Sequence, residues 1–129
     1  MNQNEVDTLA ERFLQAWNSQ DVESVVACYT NDLVYRDPKT RGEVRGSDAM
    51  RRYLRKLFAG WTMHWSTREG FPLEGQEGAA FLWHATFRRP DGDRTVEAEG
   101  MDLVLVRGDK IARNEVYLDR AVLNDLLMP

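Results

Sequence analysis

Tyr29-Thr30-Asn31-Asp32-Leu33-Val34-Tyr35-Arg36-Asp37-Pro38 is the stretch on which the fold turns. It reads as the end of a helix, a turn at Asn31-Asp32, and a short strand that stops at Asp37. Leu33, Tyr35 and Asp37 alternate, so they share one face of that strand. Pro38 pushes Asp37 out of the helical region and ends the strand. Two bulky side chains and one carboxylate therefore point the same way. Two readings of Asp37 follow. It hydrogen-bonds the turn after it, as an Asx-type cap, or it is the acid at the mouth or wall of a pocket.

Upstream, Val6, Leu9, Ala10, Phe13, Ala16 and Trp17 form a helical stripe over Asn4 to Asn18. Asn18-Ser19-Gln20-Asp21 breaks the stripe, and Asp21 suits the N-cap of a second helix carrying Val22, Val25, Val26 and Tyr29. Cys28 lies beside that stripe as a packed or half-packed thiol. Downstream, Lys39 to Arg45 reads as a polar loop. Ser47 suits the cap of a third helix with Met50, Tyr53, Leu54, Leu57 and Phe58 at helical spacing, closed by Gly60.

The period then changes from helical to alternating. Trp61, Met63 and Trp65 alternate with polar residues in a first long strand, which Gly70 and Pro72 should bend. Ala79 to Arg88 is a second, with Phe81, Trp83, Ala85 and Phe87 on its apolar face. Pro90-Asp91-Gly92 turns the chain into a third, Arg94 to Val106. Gly108-Asp109 is a hairpin turn into a fourth, Ile111 to Leu118. A short amphipathic tail holds Val122, Leu123, Leu126 and Leu127. Helices first and consecutive strands afterwards give α+β, a meandering antiparallel sheet with the helices packed on one face.

The 129 residues fit a single domain spanning 1–129, with a real core. A hydrophobic fraction of 43%, a charged fraction of 29% and a net charge of −4 match a soluble globular protein and offer no basic block for nucleic acid. No secretory signal and no apolar run of membrane-spanning length is present. The lone cysteine fits a reducing cytoplasm. His64 and His84 oppose their strands' apolar faces and have no acid or cysteine at ligand spacing, so no metal is expected. No phosphate loop or nucleophile elbow appears, so no cofactor is expected either.

Alternation also exposes polar exceptions. One face of the third strand reads Val96, Ala98, Gly100, Asp102, Val104, Val106. Asp102 is the only acid on it, and desolvation raises a carboxyl's pKa unless a cation pairs with it. Asp102 either holds the sheet by binding neighbouring groups or serves a site. In the last strand Ala112, Asn114, Val116 and Leu118 share a face, with Asn114 the exception. Trp17, Trp61, Trp65 and Trp83 would together give any cavity between helices and sheet an aromatic lining.

Several stretches carry a family likeness: Arg12-Phe13 through Asn18, Asp21 to Tyr29, Tyr35-Arg36-Asp37-Pro38, Gly46-Ser47-Asp48-Ala49-Met50, Gly100-Met101-Asp102, and Lys110 to Asp119. In these the chain resembles the nuclear-transport-factor-2-like superfamily, and within it the SnoaL-like and ketosteroid-isomerase-like proteins. The resemblance implies a cone: a curved antiparallel sheet with three N-terminal helices packed on its concave face. It places Asp37 where the isomerases keep their catalytic base, and Asp102 where they keep a protonated acid that donates to the oxyanion. The isomerases have a tyrosine where this chain has Phe13, so half of their oxyanion hole is missing. Epoxide hydrolases of this fold need Arg two residues before a strand Asp, where this chain has Gly100.

The expected function is therefore a small-molecule pocket, with Asp37 and Asp102 abstracting a proton α to a carbonyl in an isomerase or cyclase reaction. The ligand-binding residues would be Phe13, Trp17, Tyr29, Tyr35, Tyr53, Trp83, Phe87, Val104, Asn114, Val116 and Leu118. The partner would be a small apolar cyclic molecule. The alternatives are a non-catalytic binding module for a hydrophobic ligand and an interaction protein using its sheet face. Met101, Leu103, Leu105 and Tyr117 put an apolar patch on the outer face, where a homodimer is expected.

Overall fold

The structure, a computed structural model, describes residues 1–127. Helix α1 spans Gln3–Ser19 and opens on a capping box: Asn2 accepts from the Glu5 N–H, and Glu5 reaches back to the Asn2 N–H. Its buried face is Val6, Leu9, Ala10, Phe13, Ala16 and Trp17, the stripe expected from spacing. Gln20 ends it in the left-handed region at φ 51°. Asp21 caps α2, Val22–Val26, by accepting from the Ser24 N–H.

Two local readings are corrected here. Tyr29 is not helical and Asn31-Asp32 is not a turn: α2 ends at Val26, and β1 runs from Tyr29 to Arg36. The reason is pairing. The Ile111 N–H donates to the Cys28 carbonyl at 2.9 Å, and Tyr29 registers with Ile111, so the sheet captures the chain early. The register slips between Tyr29 and Val34, and that irregularity absorbs Asn31-Asp32. The second correction concerns α3, Ser47–Gly60. Its N-cap is Gly46 with no side-chain cap, and Ser47 is already helical. Gly60 is the last helical residue, and Trp61 leaves in extended conformation.

The remaining strands are β2 (Val44–Arg45), β3 (Thr62–Pro72), β4 (Gly78–Arg88), β5 (Thr95–Arg107) and β6 (Lys110–Leu118). The six form one curved, unclosed sheet in the order β2-β1-β6-β5-β4-β3. β3 to β6 make the expected antiparallel meander, while β1 joins β6 in parallel, so the whole sheet is mixed. β3 bulges between Thr67 and Glu69, ahead of the bend expected at Gly70. A 3-10 turn, Arg120–Leu123, and a short α4, Asn124–Leu127, follow. Leu127 was expected in the amphipathic tail; its side chain lies outside the described residues. Among the described residues no helix is long and apolar enough to cross a membrane.

The register lays the inner face out in rows. Tyr35, Asn114, Val104 and Ala79 form one; Val116, Asp102 and Phe81 the next; Leu118, Gly100 and Trp83 a third. Each strand brings its apolar face inward, and Asp102 and Asn114 come with it as neighbours in adjoining rows. β3 is an edge strand, and its open edge is covered by side chains from the end of α1. Asn18 bonds both polar groups of the Trp65 backbone, at 2.8 and 3.0 Å. Gln20 accepts from the Met63 N–H and donates to the Trp61 carbonyl. The segment that breaks the helical stripe therefore ties the helix to the sheet.

Candidate functional site

The inner face and helices α1 and α3 enclose a belt of aromatic rings. Trp17 stacks on Tyr35 with centroids 5.9 Å apart, and Tyr35 meets Tyr53 at 5.5 Å. Trp65 meets Trp83 edge to face at 4.7 Å and Phe87 at 5.4 Å. The rings leave two small niches, of about 30 and 40 Å³, which share Trp17, Tyr35, Trp65 and Val116 as walls. The inner niche adds Phe13, Leu14, Trp83, Asp102 and Asn114. The outer one adds Asp37, Lys39, Phe87, Leu118 and Arg120, among others. Each niche holds a water or so, far below the several hundred Å³ of a ligand pocket. The side chains are thus in a closed arrangement.

Asp102 is buried in the inner niche. The Trp83 indole donates to its Oδ1 at 2.9 Å, and the Asn114 amide approaches Oδ2 at 3.4 Å. Burial raises its pKa to about 7; the two donors oppose that, and the charge of Asp37 adds to it. The Trp83 geometry depends on Gly100, the residue opposite Trp83 in the register. A Cβ there would lie 2.6 Å from the indole ring and 2.4 Å from the Tyr117 carbonyl oxygen. Behind Asp102 runs a buried chain. The Trp17 indole donates to the Tyr29 hydroxyl at 3.3 Å, and Tyr29 donates to Asn114 Oδ1 at 2.8 Å.

Asp37 sits where β1 gives way to the loop. Its Oδ1 accepts from the backbone N–H groups of Lys39 and Thr40, at 2.7 and 3.1 Å. Its Oδ2 accepts from the Tyr35 hydroxyl at 2.7 Å and from the Tyr53 hydroxyl. The two sequence readings therefore coexist: one oxygen caps the turn, and the other faces the aromatic belt. Four donors use the four acceptor sites of a carboxylate. Burial first, and then the Asp37 charge, pushes both phenols up. Lys39 lies over the Trp61 ring at 5.4 Å, with burial and then Arg89 and Arg120 pulling its pKa down against the pull of Asp37.

A model of the SnoaL-like domain matches residues 10–114. This chain belongs to the SnoaL-like family. Its fold is that of the nuclear-transport-factor-2-like superfamily, as solved structures bear out. A putative isomerase from Bacillus subtilis is similar at TM-score 0.85 and 11% identity, over 98% of this chain and 96% of that one. A ketosteroid isomerase-like protein from Erwinia carotovora atroseptica is similar at TM-score 0.72 and 22% identity, over 90% and 95%. TerC, co-crystallised with polyporic acid, is similar at TM-score 0.81 and 14% identity, over 97% and 99%. No curated protein matches the chain.

Of the residues singled out by sequence, Phe13, Trp17, Tyr35, Trp83, Asn114 and Val116 meet Asp102 in this SnoaL-like chain's inner niche. Phe87 and Leu118 join Asp37 in the outer one, and Tyr53 reaches Asp37 from α3. Val104 and Tyr29 line neither niche. Val104 is fully buried between Ala79 and Asn114 on the sheet, and Tyr29 supports Asn114 from behind. Trp65 borders both niches, in keeping with the aromatic lining expected of the four tryptophans, although it was not among the expected ligand-binding residues. Lys39 and Arg120 were missed because a loop residue and the first residue of a short 3-10 turn carry no periodic signal. Among the described residues, no cluster of three or more His, Cys, Asp or Glu could hold a metal ion.

Proposed function

We propose that this SnoaL-like protein takes a small, largely apolar cyclic carbonyl compound into the aromatic belt and moves a proton α to that carbonyl, as an isomerase or cyclase. The observation that carries this reading is the pair of acids at the two ends of one belt. Asp102 inside has its pKa raised to about 7 by burial, so it holds a proton for part of the time at neutral pH and then donates to a ligand oxygen. Its Oδ1 accepts the short bond from Trp83 and Oδ2 only the longer one from Asn114, so Oδ2 is the oxygen to carry that proton. Asp37 is the base. For Oδ2 to take a proton from a ligand, one tyrosine hydroxyl turns aside, and Tyr53, the less buried of the two, is the one to move. Neighbours of this fold that hold small ligands, such as TerC with polyporic acid, support a small-molecule site.

A second reading has its own observation. All four acceptor sites of Asp37 are filled and Phe13 brings no hydroxyl, which suits a module that binds a hydrophobic ligand without turning it over. The deciding measurement is exchange of α-protons with deuterated water, followed by NMR over a panel of cyclic ketones. Wild type should exceed Asp37→Asn by on the order of a hundredfold. Equal rates on every ketone that binds make the protein a binding module. We further propose that the chain is a single domain that works in a reducing cytoplasm as a homodimer through its outer sheet face.

A further inference from the structure

Three tryptophans line the inner niche, and the indole N–H groups of two are committed. Trp83 donates to Asp102 and Trp17 to Tyr29. The third, Trp65 Nε1, is buried and has no hydrogen-bond partner among the described residues. A buried donor without a partner costs free energy, so such a group calls for an explanation. Packing alone does not supply one. The Trp65 ring meets Trp83 and Phe87 edge to face, contacts that an aromatic ring without an N–H makes equally well.

The hydroxyls and the amide around the belt are spoken for, and the Lys39 and Arg120 cations border only the outer niche. Tyr29 serves Asn114; Tyr35 and Tyr53 serve Asp37; Asn114 serves Asp102 and the Leu103 carbonyl. Phe13, beside Asp102, carries no donor. Trp65 borders both niches, the one lined by Asp102 and the one lined by Asp37. Its backbone is clamped on both polar groups by Asn18, which fixes the strand that carries the indole. We infer that Trp65 Nε1–H is the second donor to the ligand's oxygen, completing with Asp102 the pair of hydrogen bonds that Phe13 leaves half empty. The ligand class this selects is a compound that turns one acceptor oxygen, a ketone or enol oxygen, inward and is apolar around it. The inference rests on the ligand site proposed above.

The test uses 2-tetralone, a bicyclic ketone, and tetralin, the hydrocarbon of the same shape. In 15N-labelled protein the four tryptophans give four indole signals, and Trp65→Phe identifies one by its loss. 2-Tetralone should move the Trp65 indole proton downfield, and tetralin should not. Trp65→Phe removes the N–H together with the five-membered ring, so it should weaken 2-tetralone binding by roughly three- to tenfold more than it weakens tetralin binding, the worth of one net hydrogen bond. The inference is overturned if the indole proton does not shift with 2-tetralone, 1-indanone or cyclohexenone at saturating concentration. Equal weakening of ketone and hydrocarbon overturns it too, since that makes Trp65 packing only. The signal is read on wild type, so a poorly folding variant does not block the result. Failure here is separable from failure of the proton-transfer reading. An indole shift without α-proton exchange keeps the donor and removes the base; exchange at full rate in Trp65→Phe does the reverse.

Discussion

At the scale of single residues, Asp102 makes stability depend on pH in an unusual direction. Its carboxyl is raised from an ordinary 3.8 to about 7 by burial, so between those values the folded chain holds a proton that the unfolded chain has lost. The stability this proton confers is whole below pH 3.8 and is lost as pH rises through about 7. A shift of that size corresponds to about 4 kcal/mol at most. The urea midpoint of wild type should therefore fall between pH 5 and pH 8. Asp102→Asn still accepts from the Trp83 indole and should flatten that slope; a variant with the wild-type slope would mean that Asp102 titrates normally. Asp102 was legible as the one acid on an apolar strand face, and Asp37 as the acid before a proline. Trp65 was legible as aromatic lining but not as a free donor, because a sequence does not record that an indole N–H lacks a partner. The Tyr53 contact was equally hidden, since it joins a helix to a loop with no shared period.

At the scale of elements, the inner face works because bulky and minimal residues alternate across strands. Trp83 faces Gly100, and its indole lies where a Cβ would be, which lets its N–H reach Asp102. Gly100→Ala puts a methyl against both the ring and the Tyr117 carbonyl, so the strand has to shift. It should cost about 1–3 kcal/mol in a denaturant melt and carry the pH slope of Asp102 with it. The edge of β3 offers a second prediction. Asn18→Ala strips two hydrogen bonds from the Trp65 backbone and should cost about 1–3 kcal/mol. Hydrogen exchange at the Trp65 amide should speed up beyond what the global loss explains. Unchanged protection there would mean that the edge needs no cover. These elements show where periodicity informs and where it stops. The stripes of α1 and α3 and the alternation of the four meander strands were all readable. The early end of α2 was not, because Tyr29 satisfies a helical stripe as well as a strand, and only the partner Ile111, far along the chain, decides between them. The parallel placement of β1 against β6 was hidden for the same reason.

At the scale of the whole molecule, the outer sheet face carries exposed apolar side chains that the proposed homodimer would cover. Phe71, Met101 and Tyr117 remain 47%, 40% and 49% exposed, large fractions for such side chains. The register ranges them with half-buried neighbours: Phe71 pairs with Ala80, Ala80 with Leu103, and Leu82 with Met101. Met101 in turn pairs with Tyr117, so the patch crosses four strands. The polar groups inside it are already paired, since Glu115 accepts from Arg113 and from the Tyr117 hydroxyl. Those bonds hold its pKa below the usual range, led by Tyr117 and opposed only by burial. A surface whose charges are paired in place avoids the larger cost of burying a lone charge when a copy of itself docks. A two-fold interface needs such a self-complementary patch, of about 800 Å² per partner. Analytical ultracentrifugation at micromolar concentration should therefore give a dimer. Met101→Glu puts an unpaired charge at the centre of the patch and should yield a folded monomer with an unchanged pH slope at Asp102, because the inner face is untouched. A wild-type monomer removes the homodimer. A Met101→Glu dimer moves the interface elsewhere.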